Sequence, residues 1–154
     1  MAAVKYLIDT SAMTRVATSD AVANRIEPLL EAGHAWTCAI LNLEALFSAT
    51  SPQDYVKISR FRNGTMLPAD TDEWCMDRAQ EVQALLAERA EWRSVSVPDL
   101  IVAAVAERHG LTVLHYDHDY DFVAAVTGQP VEWVVPKGTA DRTLSTGGTT
   151  GPHP

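Results

Sequence analysis

Val4-Lys5-Tyr6-Leu7-Ile8-Asp9-Thr10-Ser11 is a β-rich run that stops at an acid followed by two hydroxyl residues. Val, Tyr, Leu and Ile suit a pleated, half-buried backbone, whereas Asp, Thr and Ser cap helices, so the stretch reads as strand, turn, helix. The same alternation continues outward. Val22, Ile26, Leu29 and Leu30 have helical spacing, and Gly33 stops that pattern before a second strand at Ala35-Trp36-Thr37-Cys38. A helix from Ile40 to Ala49 follows, with Ile40, Leu43 and Phe47 along its apolar face and Glu44 in the same stripe. Pro52 breaks it. A polar helix is predicted from Gln53 to Arg62, then a short strand at Thr65-Met66-Leu67 ahead of Pro68. Asp72 to Trp92 reads as a long helix with Cys75, Ala79, Val82, Leu86 and Ala90 inward. Ser96-Val97-Pro98-Asp99 has the pattern of a helix start, with Asp99 placed to close a capping box, and the helix over Leu100 to His109 ends at Gly110. It is apolar nearly all round and therefore buried. A strand at Leu111 to His115, a short helix from Asp117 to Val126 and a strand at Val131 to Val135 complete the pattern. Strands alternating with helices at this spacing predict an α/β domain with a mainly parallel sheet.

The 154 residues fit one domain, predicted over 1–135, with a flexible tail rich in Gly, Pro and Thr over 136–154. Hydrophobic residues at 47% and charged residues at 21% are ordinary globular usage. No apolar run approaches the roughly 18 residues of a membrane span. Asp9 arrives too early for a signal-peptide apolar region, so a cytoplasmic protein is expected. Two cysteines, Cys38 and Cys75, form no framework and suit a reducing compartment. Twelve basic against 20 acidic residues leave a formal charge of −8, which argues against wrapping nucleic acid along an extended basic face.

The acids themselves carry the functional signal. In open parallel sheets, functional groups gather at the carboxyl ends of the strands. Asp9 follows the first strand, Asp117 and Asp119 follow the strand ending at His115, Glu44 lies about a turn into the helix after the second strand, and Asp99 opens the buried helix. Each alone has a simpler reading as a cap or a solvated charge. Together in one cleft they repel one another and raise their pKa values unless a cation neutralises them. Oxygen-only ligands select Mg²⁺ or Mn²⁺ over zinc, and such a site suits phosphodiester hydrolysis.

Leu7-Ile8-Asp9-Thr10-Ser11-Ala12, Asn42-Leu43-Glu44, Val97-Pro98-Asp99-Leu100-Ile101-Val102-Ala103-Ala104 and His115-Tyr116-Asp117-His118-Asp119-Tyr120-Asp121, in that order and spacing, resemble the PIN domain. They are most similar to the VapC toxins of bacterial VapBC toxin–antitoxin pairs. The resemblance spans about Val4 to Val135 and implies an α/β/α sandwich with Mg²⁺- or Mn²⁺-dependent endoribonuclease activity. By the resemblance, Asp9, Asp99 and Asp117 bind metal directly, while Glu44 and Asp119 bind through water or orient the attacking water. Ser11 matches a hydroxyl that helps hold the site. A homodimer is implied, as is a VapB-type antitoxin whose C-terminal segment enters the cleft, often with an Arg, and a tRNA, rRNA or mRNA substrate. The chain departs from the pattern at His115, where many members carry Thr or Ser.

Other signals point elsewhere and fail. Asp117-x-Asp119-x-Asp121 begins like an EF-hand loop, but Phe122 and Gly128 stand where Gly and Glu are needed. His109, His115, His118 and the cysteines have no zinc spacing, and no phosphate-loop, dinucleotide or serine-hydrolase motif occurs. Trp36, Trp74, Trp92 and Trp133 are expected as core or dimer residues. Lys5, Arg15, Lys57, Arg60 and Arg62 are the candidate RNA contacts. The rival readings are an aspartate-based phosphatase, a receiver domain and a catalytically inactive PIN-like interaction module. The phosphatase lacks the second acid at Ser11, and Asp54, the acid a receiver would need, follows no predicted strand.

Overall fold

A computed structural model describes residues 2–141. Five parallel strands are ordered β3-β2-β1-β4-β5: β1 (Tyr6–Ile8), β2 (Ala35–Cys38), β3 (Leu67–Ala69), β4 (Thr112–His115) and β5 (Val131–Trp133). Among the described residues seven helices flank them: α1 (Thr10–Met13), α2 (Asp20–Glu31), α3 (Ala39–Phe47), α4 (Pro52–Thr65), α5 (Glu73–Glu88), α6 (Val97–His109) and α7 (Asp119–Thr127). This is the expected α/β/α sandwich.

Alternation along β1 divides the core. Leu7 faces a cluster with Leu41, Cys75, Leu86, Val102 and Val113, while Tyr6 and Ile8 face Val22, Ile26, Leu114 and Tyr116. The chain winds from β1 outward to β3, then returns to lay β4 on the other side of β1. The switch point of the sheet therefore lies between the carboxyl ends of β1 and β4, where the following loops diverge and leave a crevice. Asp9 and Asp117 follow those two strands.

Several local expectations shift for identifiable reasons. α3 turns one residue away from the predicted register: Leu41 is buried, whereas Leu43 and Phe47 are 67% and 93% exposed. The face shared by Leu41, Glu44 and Ala45 is thus the inner one, and it carries Glu44 toward the switch point. β3 runs through Pro68 rather than ending before it, because an edge strand tolerates the missing N–H. α5 ends at Glu88; Ala90, at φ +56°, lies outside the helix and outside the core. Trp74 and Trp92 are exposed, so they are not core residues, while Trp36 and Trp133 pack against the two clusters. Cys38 and Cys75 are buried free thiols, as predicted.

No helix among the described residues is long and apolar enough to cross a membrane. The Ala140 N–H donates to the Tyr116 hydroxyl at 3.0 Å, and the expected tail lies, from residue 142 onward, outside the described residues.

Candidate active site

The Asp9 N–H donates to the Leu114 carbonyl at 2.9 Å, so the β1–β4 pairing extends to Asp9 and pins it at the switch point. Asp9 then caps α1: its Oδ2 accepts the Ser11 N–H at 3.0 Å and the Ser11 hydroxyl at 2.5 Å. The Ser11 oxygen in turn accepts the Tyr116 N–H at 2.9 Å. Ser11 therefore ties the exits of both central strands to one carboxylate. The capping and cleft readings of Asp9 are not alternatives, since the cap orients the acid.

Asp99 lies in the first turn of α6, where Ser96 Oγ accepts its N–H at 3.3 Å. The predicted capping box does not close as expected. The Ser96 N–H donates instead to Asp119 Oδ2, 3.1 Å away, so the Asp99 side chain is left to the cleft. Asp117 Oδ1 accepts the Asp119 N–H at 3.0 Å, fixing the start of α7. His115, fully buried, accepts the Asp117 N–H on Nδ1 at 3.1 Å, which assigns the remaining proton to Nε2. Nε2 has no hydrogen-bond partner among the described residues and lies among aromatic rings, with Tyr120 and Trp133 centroids at 4.9 and 5.0 Å. Burial lowers the His115 pKa. Where a hydroxyl was in question, a neutral ring props up the Asp117 turn.

Three chain segments thus bring Asp9, Asp99, Asp117 and Asp119 together. Glu44 reaches the same edge from α3, accepting the Thr10 hydroxyl at 3.4 Å. Burial raises its pKa, and the charge of Asp9 adds to that, against the opposing hydrogen bond from Thr10 and the Arg62 cation. Asp99, 9% exposed, is pushed up to about 8, first by burial, then by its hydrogen bond with Asp119 and the charges of Asp9, Asp117 and Asp119. Asp121 turns away and accepts the Trp133 indole N–H at 3.2 Å.

Two residues escaped the sequence reading. His118 was set aside for want of zinc spacing, yet its ring nitrogens stand 3.8 Å from Asp117 Oδ1 and 3.9 Å from Asp119 Oδ1. The three side chains offer ligand atoms all within 4.8 Å of one another. Tyr120 carries its hydroxyl to Asp9 Oδ1 at 2.6 Å and to Asp99 Oδ1 at 3.1 Å. Its place directly after Asp119 was the available signal, but an aromatic there reads first as core.

Arg62 is corrected as an RNA candidate. It is 7% exposed and spans elements, donating through Nε to Asn42 Oδ1 at 2.9 Å and through Nη2 to Thr37 Oγ1 at 2.8 Å. Arg15 is spoken for by the Ser11 carbonyl at 2.6 Å and the Tyr116 ring at 4.3 Å, whereas Lys57 is exposed. A groove of about 380 Å³ runs from Glu44 between α1, α3 and α4, floored by Met13, Ala45, Ile58 and Phe61.

The PIN domain profile matches residues 6–126. The chain belongs to the PIN domain family. Among curated relatives of this PIN domain, Ribonuclease VapC21 of Mycobacterium tuberculosis is 46% identical over 136 residues, covering 88% of this chain and 98% of the relative. Ribonuclease VapC51 of the same organism is 43% identical over 139 residues, covering 90% of this chain and 99% of that one. Among solved structures, DNA-bound VapBC from Salmonella typhimurium aligns at TM-score 0.69 and 17% identity, over 86% of this chain and 100% of that chain. VapBC2 from Rickettsia felis, bound to a promoter DNA fragment, aligns at 0.67 and 17%, over 83% and 98%. At those identities the solved structures speak to the fold.

Proposed function

We propose that this PIN domain is the toxin of a type II toxin–antitoxin pair, a Mg²⁺- or Mn²⁺-dependent endoribonuclease neutralised by a VapB-type antitoxin. The observation that carries the reading is the convergence of Asp9, Glu44, Asp99, Asp117 and Asp119 on the sheet's switch point, where burial first and the neighbouring aspartates second hold Asp99 near 8. Similarity over nearly the whole length of two curated VapC ribonucleases supports it.

The donor set fits a hard divalent cation, because every cleft acid offers oxygen and their mutual repulsion is relieved by positive charge. Asp9, Asp99 and Asp117 would hold the ion directly, with Glu44 and Asp119 through water. When bound, the ion supplies charge neutralisation and lowers the pKa of water for attack on the phosphodiester. Ser11 keeps Asp9 aimed into the cleft. Glu44 and Asp119 orient the attacking water, whose oxygen bonds to phosphorus as the bond to the 3′ oxygen breaks. A proton goes to that leaving oxygen, leaving 5′-phosphate and 3′-hydroxyl ends.

The groove beside Glu44 suits the antitoxin: its apolar floor takes side chains of a docked segment, and Glu44 and Asp54 along it take a basic one. Exposed Leu43, Phe47 and Val97 supply apolar surface for a homodimer. The deciding experiment is cleavage of labelled tRNA, rRNA fragments and mRNA with Mg²⁺, with Mn²⁺ and with chelator, beside Asp9→Asn. Metal-dependent cutting that the variant loses supports the reading; equal cutting by the variant, or cutting in chelator, overturns it.

A further inference from the structure

We propose that Tyr120 is a positioning residue of the cleft, whose hydroxyl holds the carboxylates of Asp9 and Asp99 in the orientation that receives a divalent cation. The inference rests on the metal-site reading above and adds a residue to it.

The first turn of α7 is where this is built. Successive residues of a helix point about 100° apart, and three in a row each meet a different element. Asp119 accepts from the Ser96 N–H at the start of α6, Tyr120 points to Asp9 and Asp99, and Asp121 accepts from Trp133 on β5. Rotation of α7 about its axis is therefore set from three sides. Tyr120 is left with no exposed surface and its ring against His115, centroids 4.9 Å apart.

Packing alone does not call for the oxygen, because a phenylalanine ring would fill the same volume. The hydroxyl instead lies between two carboxyl groups from different elements. Its single proton goes to Asp9, at the end of β1, over the shorter contact of 2.6 Å, and the same oxygen meets Asp99, at the start of α6, at 3.1 Å. With Ser11 donating to Oδ2 and Tyr120 to Oδ1, both oxygens of Asp9 are anchored before any ion arrives. Without Tyr120, nothing donates to Oδ1 among the described residues, and the two carboxyl groups lose the oxygen that both contact.

Groups that orient metal ligands through hydrogen bonds are commonly worth 10- to 100-fold in metal affinity. Tyr120→Phe is accordingly expected to raise the Kd for Mn²⁺ by about 10-fold or more. The full chain is titrated with Mn²⁺ alone, free ion being counted by its paramagnetic resonance signal, for the wild type, Tyr120→Phe and Asp9→Asn. Melting in chelator is recorded for each, since a merely structural tyrosine would lower that temperature and leave the affinity of the folded protein unchanged. A weaker Kd in Tyr120→Phe with its chelated melting temperature intact supports the proposal. Should that variant fail to fold, Tyr120→Met, an apolar chain of similar reach, provides the same comparison. An unchanged Mn²⁺ Kd overturns it while leaving the metal site standing, provided Asp9→Asn has lost binding. If the wild type takes up no Mn²⁺, the metal-site reading falls and this proposal with it.

Discussion

Replacing Asp99 by Asn should make the chelated protein more stable, and increasingly so as pH rises. In the fold the Asp99 carboxyl is raised from 3.8 to about 8, so between those values the folded chain holds a proton that the unfolded chain has released. Stability then falls with rising pH across that window, since the native state binds more protons than the unfolded one. At about 1.36 kcal/mol per pH unit, the interval from pH 5 to pH 8 corresponds to an upper bound of about 4 kcal/mol. Water and salt in the open cleft screen part of this, leaving about 2 kcal/mol. Asparagine keeps the shape and carries no charge to suppress. The expected gain at pH 8 is a melting temperature higher by about 4–8 °C, at roughly 2–4 °C per kcal/mol for a domain of this size. At pH 5, where Asp99 is already neutral in the fold, the gain is small. Thermal melts in chelator at pH 5, 6, 7 and 8 for both proteins check this, and the difference between them cancels His115, whose depressed pKa acts identically in each. A variant that is less stable than the wild type at pH 8, or a difference that does not grow with pH, would falsify the electrostatic account of the cleft.

Further expectations share that logic. Stabilisation of the wild type by Mn²⁺ should be larger at pH 8 than at pH 5, because an ion bound to Asp99 must displace its proton; equal shifts in melting temperature at the two values would argue against Asp99 as a ligand. Asp9→Asn should cut RNA at least about 100-fold more slowly while melting in chelator no lower than the wild type, since it removes one of the repelling charges. Arg62→Ala should destabilise by about 2–4 kcal/mol in urea titrations, because it empties a buried volume and removes two of the three hydrogen bonds that join Arg62, Asn42 and Thr37. Ile58→Asp, on the groove floor, should weaken antitoxin binding by 30-fold or more, about 2 kcal/mol, in titration calorimetry; undiminished affinity would place the antitoxin elsewhere.

Much of the fold was readable because it rests on short-range rules. Val4–Ile8 ran into a capping cluster, Ser96 and Pro98 announced α6, and Gly110 ended it in the left-handed region at φ +66°. Helical stripes failed where they depended on the partner surface. Leu43 and Phe47 look inward by period alone, yet α3 is seated by Leu41 and by Asn42, whose oxygen accepts from both Thr37 and Arg62. The acids at strand ends were legible one by one, since strand alternation predicts the edge at which each emerges. Their partners were not. Asp119 closing the cap of α6 and His115 propping Asp117 are contacts between segments, and no local period encodes them.

The sequence by itself determined the alternating strands and helices, the buried α6 and the order of five acids, because these follow from hydrophobic period, caps and chain direction. Tertiary structure alone decided how the acids are held. The return of β4 beside β1 and the seating of α7 against α6 bring Ser11 to Tyr116, and Tyr120 to Asp9 and Asp99. Residues 111 positions apart in the chain share one hydrogen bond there, and charges that close in space set one another's protonation whatever their separation along the chain.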